Sequence, residues 1–184
     1  EESVFQVKLS KNSNFHPKLW VLKYSNEAGK SYFKLLVLSR NLTFDSSIDL
    51  CVAMRGEVKH ARRLKNKSLA DMLTFVGQYA KMAKQQQILS LAEDVMRVAA
   101  FEVEHPFEDY KFFPMGIPGH PGNETKLFEQ KYDLFAVSPF LSDDVVQQLT
   151  QNASQKILIT RKSSVTKRTM EAFDHVFITK DILS

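Results

Sequence analysis

His16 and Lys18, separated by Pro17, and Ser39 and Asn41, separated by Arg40, are the side chains best suited to chemistry on phosphate. Imidazole is a nucleophile or acid–base group near neutral pH. Lysine offers a compact positive charge to phosphate oxygens, and serine and asparagine add neutral donors. Two apolar runs, residues 19–24 and 32–38, lie between the pairs and are split by the turn-rich Ser25-Asn26-Glu27-Ala28-Gly29-Lys30. Such runs predict a hairpin. Residues two apart on a strand share a face, so His16 and Lys18 should point one way together, as should Ser39 and Asn41. A hairpin closed at residues 25–30 brings both pairs to the same end, a set that suits a phosphate diester.

His-x-Lys followed by Ser-x-Asn-Leu-Thr, as His16-Pro17-Lys18 and Ser39-Arg40-Asn41-Leu42-Thr43 stand here, resembles the active-site signature of the phospholipase D superfamily. That superfamily includes nucleases and tyrosyl-DNA phosphodiesterase. The resemblance implies that His16 attacks phosphorus to form a phosphohistidine, that Lys18 and Asn41 hold the non-bridging oxygens, and that Ser39 assists. It implies no metal and no other cofactor. The acidic residue that orients the histidine has its counterpart in Asp49, at a shorter spacing from Asn41 than the family pattern. Leu38 stands where the family usually has glycine. Lys23 stands where an aspartate is expected, a position that the phosphodiesterase branch also lacks.

At 184 residues the chain is about one domain long and can bury a real core. Its 43% hydrophobic and 25% charged residues are ordinary for a globular protein. No apolar run reaches the length of a membrane span, and residues 1–20 lack the basic and apolar regions of a signal peptide. One cysteine, Cys51, excludes a disulfide framework and reads as a small buried hydrophobe; a reducing, cytoplasmic setting fits. The net charge of +4 is uneven. Residues 1–67 carry 13 Lys/Arg against 6 Asp/Glu, and residues 68–184 carry 12 against 15. The densest basic run, residues 59–67, contains Arg62, Arg63, Lys65 and Lys67. With Arg40 these are the candidate contacts to a nucleic-acid backbone, whose phosphates release counterions when neutralised. A solvated helix start or loop is the commoner source of such a run, and its position beside the motif is what favours nucleic acid.

Along the chain, residues 4–9 alternate as a short strand and 11–14 form a turn. Pro17 places the next strand's start or edge there. Residues 46–54 read as a strand carrying Asp49 and closed by Arg55-Gly56-Glu57. Ser68 and Asp71 resemble a capping box. Leu69, Met72, Leu73, Val76, Tyr79, Ala80 and Ala83 follow at helical spacing. A second helix covers 88–99, and Lys84-Gln85-Gln86-Gln87 either joins the two or runs through them as one long helix. Residues 101–104 alternate as a short strand. Residues 105–122 hold four of the six prolines and interleave them with Phe107, Tyr110, Phe112 and Phe113, a loop or linker over the core. His105 and His120 have no second histidine or cysteine at ligand spacing. Residues 133–138 read as a buried strand. A helix capped by Ser142 or Asp143, a strand at 156–160, a helix from Ser163/Ser164 to Phe173 and a strand at His175–Ile178 complete a parallel β-α-β-α-β arrangement.

The fold class expected is therefore α/β, and the resemblance specifies a phospholipase D-like mixed sheet flanked by helices, in one repeat and part of a second. Residues 1–104 correspond to the later part of a first half, 105–130 to a loop, and 131–184 to the opening of a second half without its own His-x-Lys, since His175 is followed by Val176 and Phe177. The chain reads as a piece of a longer protein. A partner histidine from further sequence or another subunit would complete the site. The leading function is a phosphodiesterase or nuclease; a non-catalytic nucleic-acid-binding module and a phospholipid-directed enzyme are the alternatives. The absence of a basic amphipathic helix argues against the last.

Overall fold

β1 (Leu19–Ser25) and β2 (Ser31–Leu38) form the hairpin that the apolar runs predict, in a computed structural model that describes residues 4–9, 15–40, 50–120 and 128–179. The chain divides into two compact units, residues 1–123 and 124–184. Among the described residues the architecture is mixed α/β, with two three-stranded sheets and four α-helices. No helix among them is long and apolar enough to cross a membrane.

In the first unit β1, β2 and β3 (Cys51–Glu57) pair antiparallel in that order. The hairpin loop closes on itself: Asn26 Oδ1 accepts from the Lys30 amide at 2.9 Å, and Gly29 takes a left-handed φ of 74°. One sheet face carries Phe33, Leu35 and Met54 into a core with Leu69 and Ala70 of α1 (Lys67–Gly77) and Ala92 and Val95 of α2 (Met82–Val95). Met96, Val98 and Phe101 fill the same core. Lys23, on this face of β1, is bonded to Asp94 of α2 at 2.6 Å, an ion pair that ties strand to helix.

Several expectations change. Residues 4–9 keep the predicted alternation, with Phe5, Val7 and Leu9 half-buried, yet form no strand. Gly56 does not close β3; the strand runs through it. A Cβ at Gly56 would lie 2.4 Å from Val98 Cγ1 and 2.9 Å from Phe101 Cδ1, so glycine lets those core side chains press on the strand. Ser68 does not cap α1. A 3₁₀ turn at Leu64–Asn66 leads directly into the helix, and Asp71 bonds Lys67 and His120 instead of an amide. The two helices are separate, parted at residues 78–81, and the second starts earlier and ends earlier than its apolar stripe suggests, at Met82 and Val95. Residues 101–104 contribute only the bridge Arg55↔Glu102. Cys51 is exposed, because it lies on the face of β3 shared with Ala53 and Arg55, opposite the face that carries Met54 into the core.

Residues 105–120 belong to the first unit and pack onto it. Asn66, fully buried, donates through Nδ2 to the Val98 carbonyl at 2.7 Å. Its Oδ1 accepts from the Tyr110 hydroxyl at 2.7 Å, and that hydroxyl accepts from the Phe101 amide at 2.8 Å. Phe112 meets Phe101 edge-on, and Ile117 is buried.

The second unit holds β4 (Tyr132–Val137), β5 (Ala153–Thr160) and β6 (His175–Ile178), parallel and in that order, with α3 (Asp143–Thr150) and α4 (Lys167–Ala172) between them. Ser142 precedes α3 as its cap, as expected, without a side-chain bond. The last helix starts later than Ser163/Ser164, which lie in a 3₁₀ turn; Thr166 caps it by accepting from the Thr169 amide at 3.1 Å. Val146, Leu158 and Phe173 form this unit's core with Leu134, Ala136 and Val176. β4 is not buried on both faces: Phe135 and Val137 are 64% and 65% exposed, because the core lies on the side of Leu134 and Ala136.

Candidate functional site

Phe15 anchors the chain just before the site, its ring 5.8 Å from that of Phe75 on α1. Two residues later Pro17 interrupts the backbone donors, and β1 begins at Leu19. The ladder to β2 reaches one residue further back, through the Leu38 amide on the Lys18 carbonyl at 2.9 Å. His16 and Lys18 thus sit where the strand starts. His16 is exposed and Lys18 half-buried. Lys18 Nζ lies 2.8 Å from His16 Nδ1. An ammonium has no acceptor, so the ring nitrogen is the acceptor, and a neutral His16 in this pose carries its proton on Nε2. The imidazole opens on a groove of about 1120 Å³ lined by residues 5–9, Phe15 and Val76, with Lys8 adding a second cation.

Ser39 lies at the same end of the hairpin, as expected. The register runs Leu19↔Val37, so Ser39 follows the residue opposite Lys18. Its amide donates to the Leu50 carbonyl and its Oγ accepts from the Leu50 amide, both at 2.9 Å. The hydroxyl therefore fastens β2 to the approach of β3. Asn41 and Asp49 lie outside the described residues. Arg40 is half-buried.

The basic run after β3 is largely committed within the chain. Arg62 pairs with Glu93 at 3.5 Å, Lys67 with Asp71 at 2.6 Å, and Lys65 with Asp109. The hydrogen bond from Lys65 holds the Asp109 carboxyl below its ordinary range, and the same bond raises the lysine. Lys65 also sits 4.7 Å over the Tyr110 ring. Arg63 is exposed. His120 bonds Asp71 at 2.9 Å, and no group of three or more His, Cys, Asp or Glu among the described residues could hold a metal ion.

No family model, no curated protein and no solved structure matches this chain.

Two features escape a reading of the sequence alone. The Ser39–Leu50 clasp depends on the register between β2 and β3. The Asp94 carboxylate that meets Lys23 lies 71 residues away. An apolar run with one lysine in it signals a partner for that lysine, but not which one.

Proposed function

We propose that the end of the β1–β2 hairpin is one half of a phospholipase D-like phosphodiesterase site acting on nucleic acid through His16. The observation that carries this reading is the 2.8 Å contact between Lys18 Nζ and His16 Nδ1 at an open groove. Phosphate oxygens compete for the ammonium, and their arrival releases the ring. The unprotonated nitrogen then attacks phosphorus, forming an N–P bond as the P–O bond to the leaving group breaks. Lys18, joined by Asn41, stabilises the charge that builds on the non-bridging oxygens. A second histidine, from further sequence or another subunit, protonates the leaving alkoxide and then activates the water that cleaves the N–P bond. The basic balance of residues 1–67 favours a polyanionic substrate.

The test is cleavage of bis-p-nitrophenyl phosphate and of labelled DNA in excess EDTA, with His16→Ala alongside. Activity that survives EDTA and disappears in the variant supports the reading. Activity lost to EDTA overturns it. Absent cleavage together with salt-sensitive DNA binding would instead select a binding module.

A further inference from the structure

We infer that the outward face of the first sheet is a stacking platform for single-stranded nucleic acid, built by Trp20, Tyr24, Tyr32, Lys34 and Arg55. The register sorts the side chains opposite the core into three rows across the strands: Trp20–Leu36–Ala53, Leu22–Lys34–Arg55 and Tyr24–Tyr32–Glu57. The solvent face of an antiparallel sheet is ordinarily polar. Here β1 presents Trp20, Leu22 and Tyr24 in succession, 46%, 43% and 41% exposed.

Planar groups continue across all three strands. The Arg55 guanidinium lies 4.4 Å over the Tyr32 ring, and Tyr32 stacks on Tyr24 with centroids 5.6 Å apart and planes 22° from parallel. Trp20 stands four residues from Tyr24, about 13 Å along the strand at 3.3 Å per residue. Two separated aromatic stations with cations between them match a flexible strand: bases stack on the rings and phosphates meet Lys34 and Arg55.

Charge points the same way. Lys30, Lys34, Arg55 and Lys59 surround the face. Its carboxylates are Glu57, paired with Lys30 at 3.8 Å and with Lys59, and Glu102, bridged to Arg55 through the backbone. The balance is positive. A protein partner would prefer an apolar centre, since charge is depleted at the middle of such interfaces; here the middle row holds Lys34 and Arg55. A duplex has its bases already stacked and offers no free π-face, so the platform selects single strands.

Trp20 is the sole tryptophan of the chain, so its emission reports on the face directly. The experiment titrates the chain with oligothymidylate and with a duplex of equal length, following tryptophan fluorescence at low and high salt. The expected result is saturable quenching by the single strand, weakened by salt and absent with the duplex. Tyr24→Ala should weaken binding about five- to a hundredfold. Arg55→Lys, which keeps the charge and the fold but not the planar stack, should weaken it less. Unchanged Trp20 emission, equal affinity for the duplex, or unaltered binding in both variants would overturn the inference. The chemistry of His16 is read from bis-p-nitrophenyl phosphate, which carries no bases, alongside DNA, so the two readings fail independently.

Discussion

The Lys18 ammonium occupies His16 Nδ1 at 2.8 Å, and this one contact defines the resting state of the hairpin end. It orients the imidazole and fixes its neutral tautomer, and it keeps an ammonium beside the group proposed as nucleophile. Both groups are placed by the start of β1, with Phe15 packed on Phe75 upstream and the Leu38–Lys18 ladder bond downstream.

Because Lys18 serves both ring and phosphate in the proposed site, its replacement should cost more than a lost surface charge. Lys18→Ala is expected to lower the rate of phosphodiester cleavage about a hundred- to a thousandfold, as losing one charge-stabilising donor does elsewhere. Lys18→Arg should recover part of it, since the charge remains while its shape changes. Nitrogen-15 shifts of the His16 ring give an independent check. The tautomer preference should weaken in Lys18→Ala, and an unchanged ring would contradict the contact.

Asn66 joins α1, the 105–120 loop and the residues after α2 through a single buried amide. Asn66→Ala leaves the Val98 carbonyl and the Tyr110 hydroxyl each short of a partner. A loss of about 2–6 kcal/mol follows if each unsatisfied group costs 1–3 kcal/mol. Tyr110→Phe takes the hydroxyl from both the Asn66 Oδ1 and the Phe101 amide and should cost a comparable amount. Urea unfolding of the three proteins checks both losses.

Asp71 provides an acid-range signature. Burial alone would push its carboxyl up, but hydrogen bonds from Lys67 and His120 hold it below the ordinary aspartate value. A carboxyl of lowered folded pKa binds its proton more tightly when unfolded. Its contribution to stability is therefore complete above about pH 3.9, the unperturbed value, and drains away as pH falls through the folded one. The protein should lose more stability between about pH 4 and pH 2 than Asp71→Asn does. Parallel unfolding curves for the two would remove Asp71 from this role.

The hairpin was legible because its signals are local. Two apolar runs, a loop with Asn26 and Gly29, and Pro17 ahead of the strand each act within a few residues. The β-α-β-α-β order of residues 132–178 was legible for the same reason. What misled were positions decided at a distance. Gly56 reads as a strand end, yet it extends through β3 because Val98 and Phe101 need its missing Cβ. Ser68 and Asp71 read as a capping box, but the 3₁₀ turn before them and the distant His120 set their roles. Phe135 and Val137 read as core, and only the placement of Val146, Leu158 and Phe173 shows that the core lies on the other side. At the candidate site, the sharing of one hairpin end by His16, Lys18 and Ser39 follows from the two apolar runs and their loop, whereas the register sets Leu38, and not Ser39, opposite Lys18. The Ser39–Leu50 clasp does not follow from them, because it depends on a third strand.

The most direct test of the central claim is a search for a covalent phosphoryl adduct on His16. p-Nitrophenolate departs without a proton, so bis-p-nitrophenyl phosphate allows the first step to proceed even without a second histidine. Mixed with the chain in excess EDTA, it should release a burst of p-nitrophenolate. Mass spectrometry at neutral or alkaline pH should then find a p-nitrophenylphosphoryl group, the ester that keeps the second nitrophenyl ring, on the peptide containing His16, lost on acidification and missing from His16→Ala. A burst that persists in His16→Ala, or an adduct on any other residue, would contradict the account.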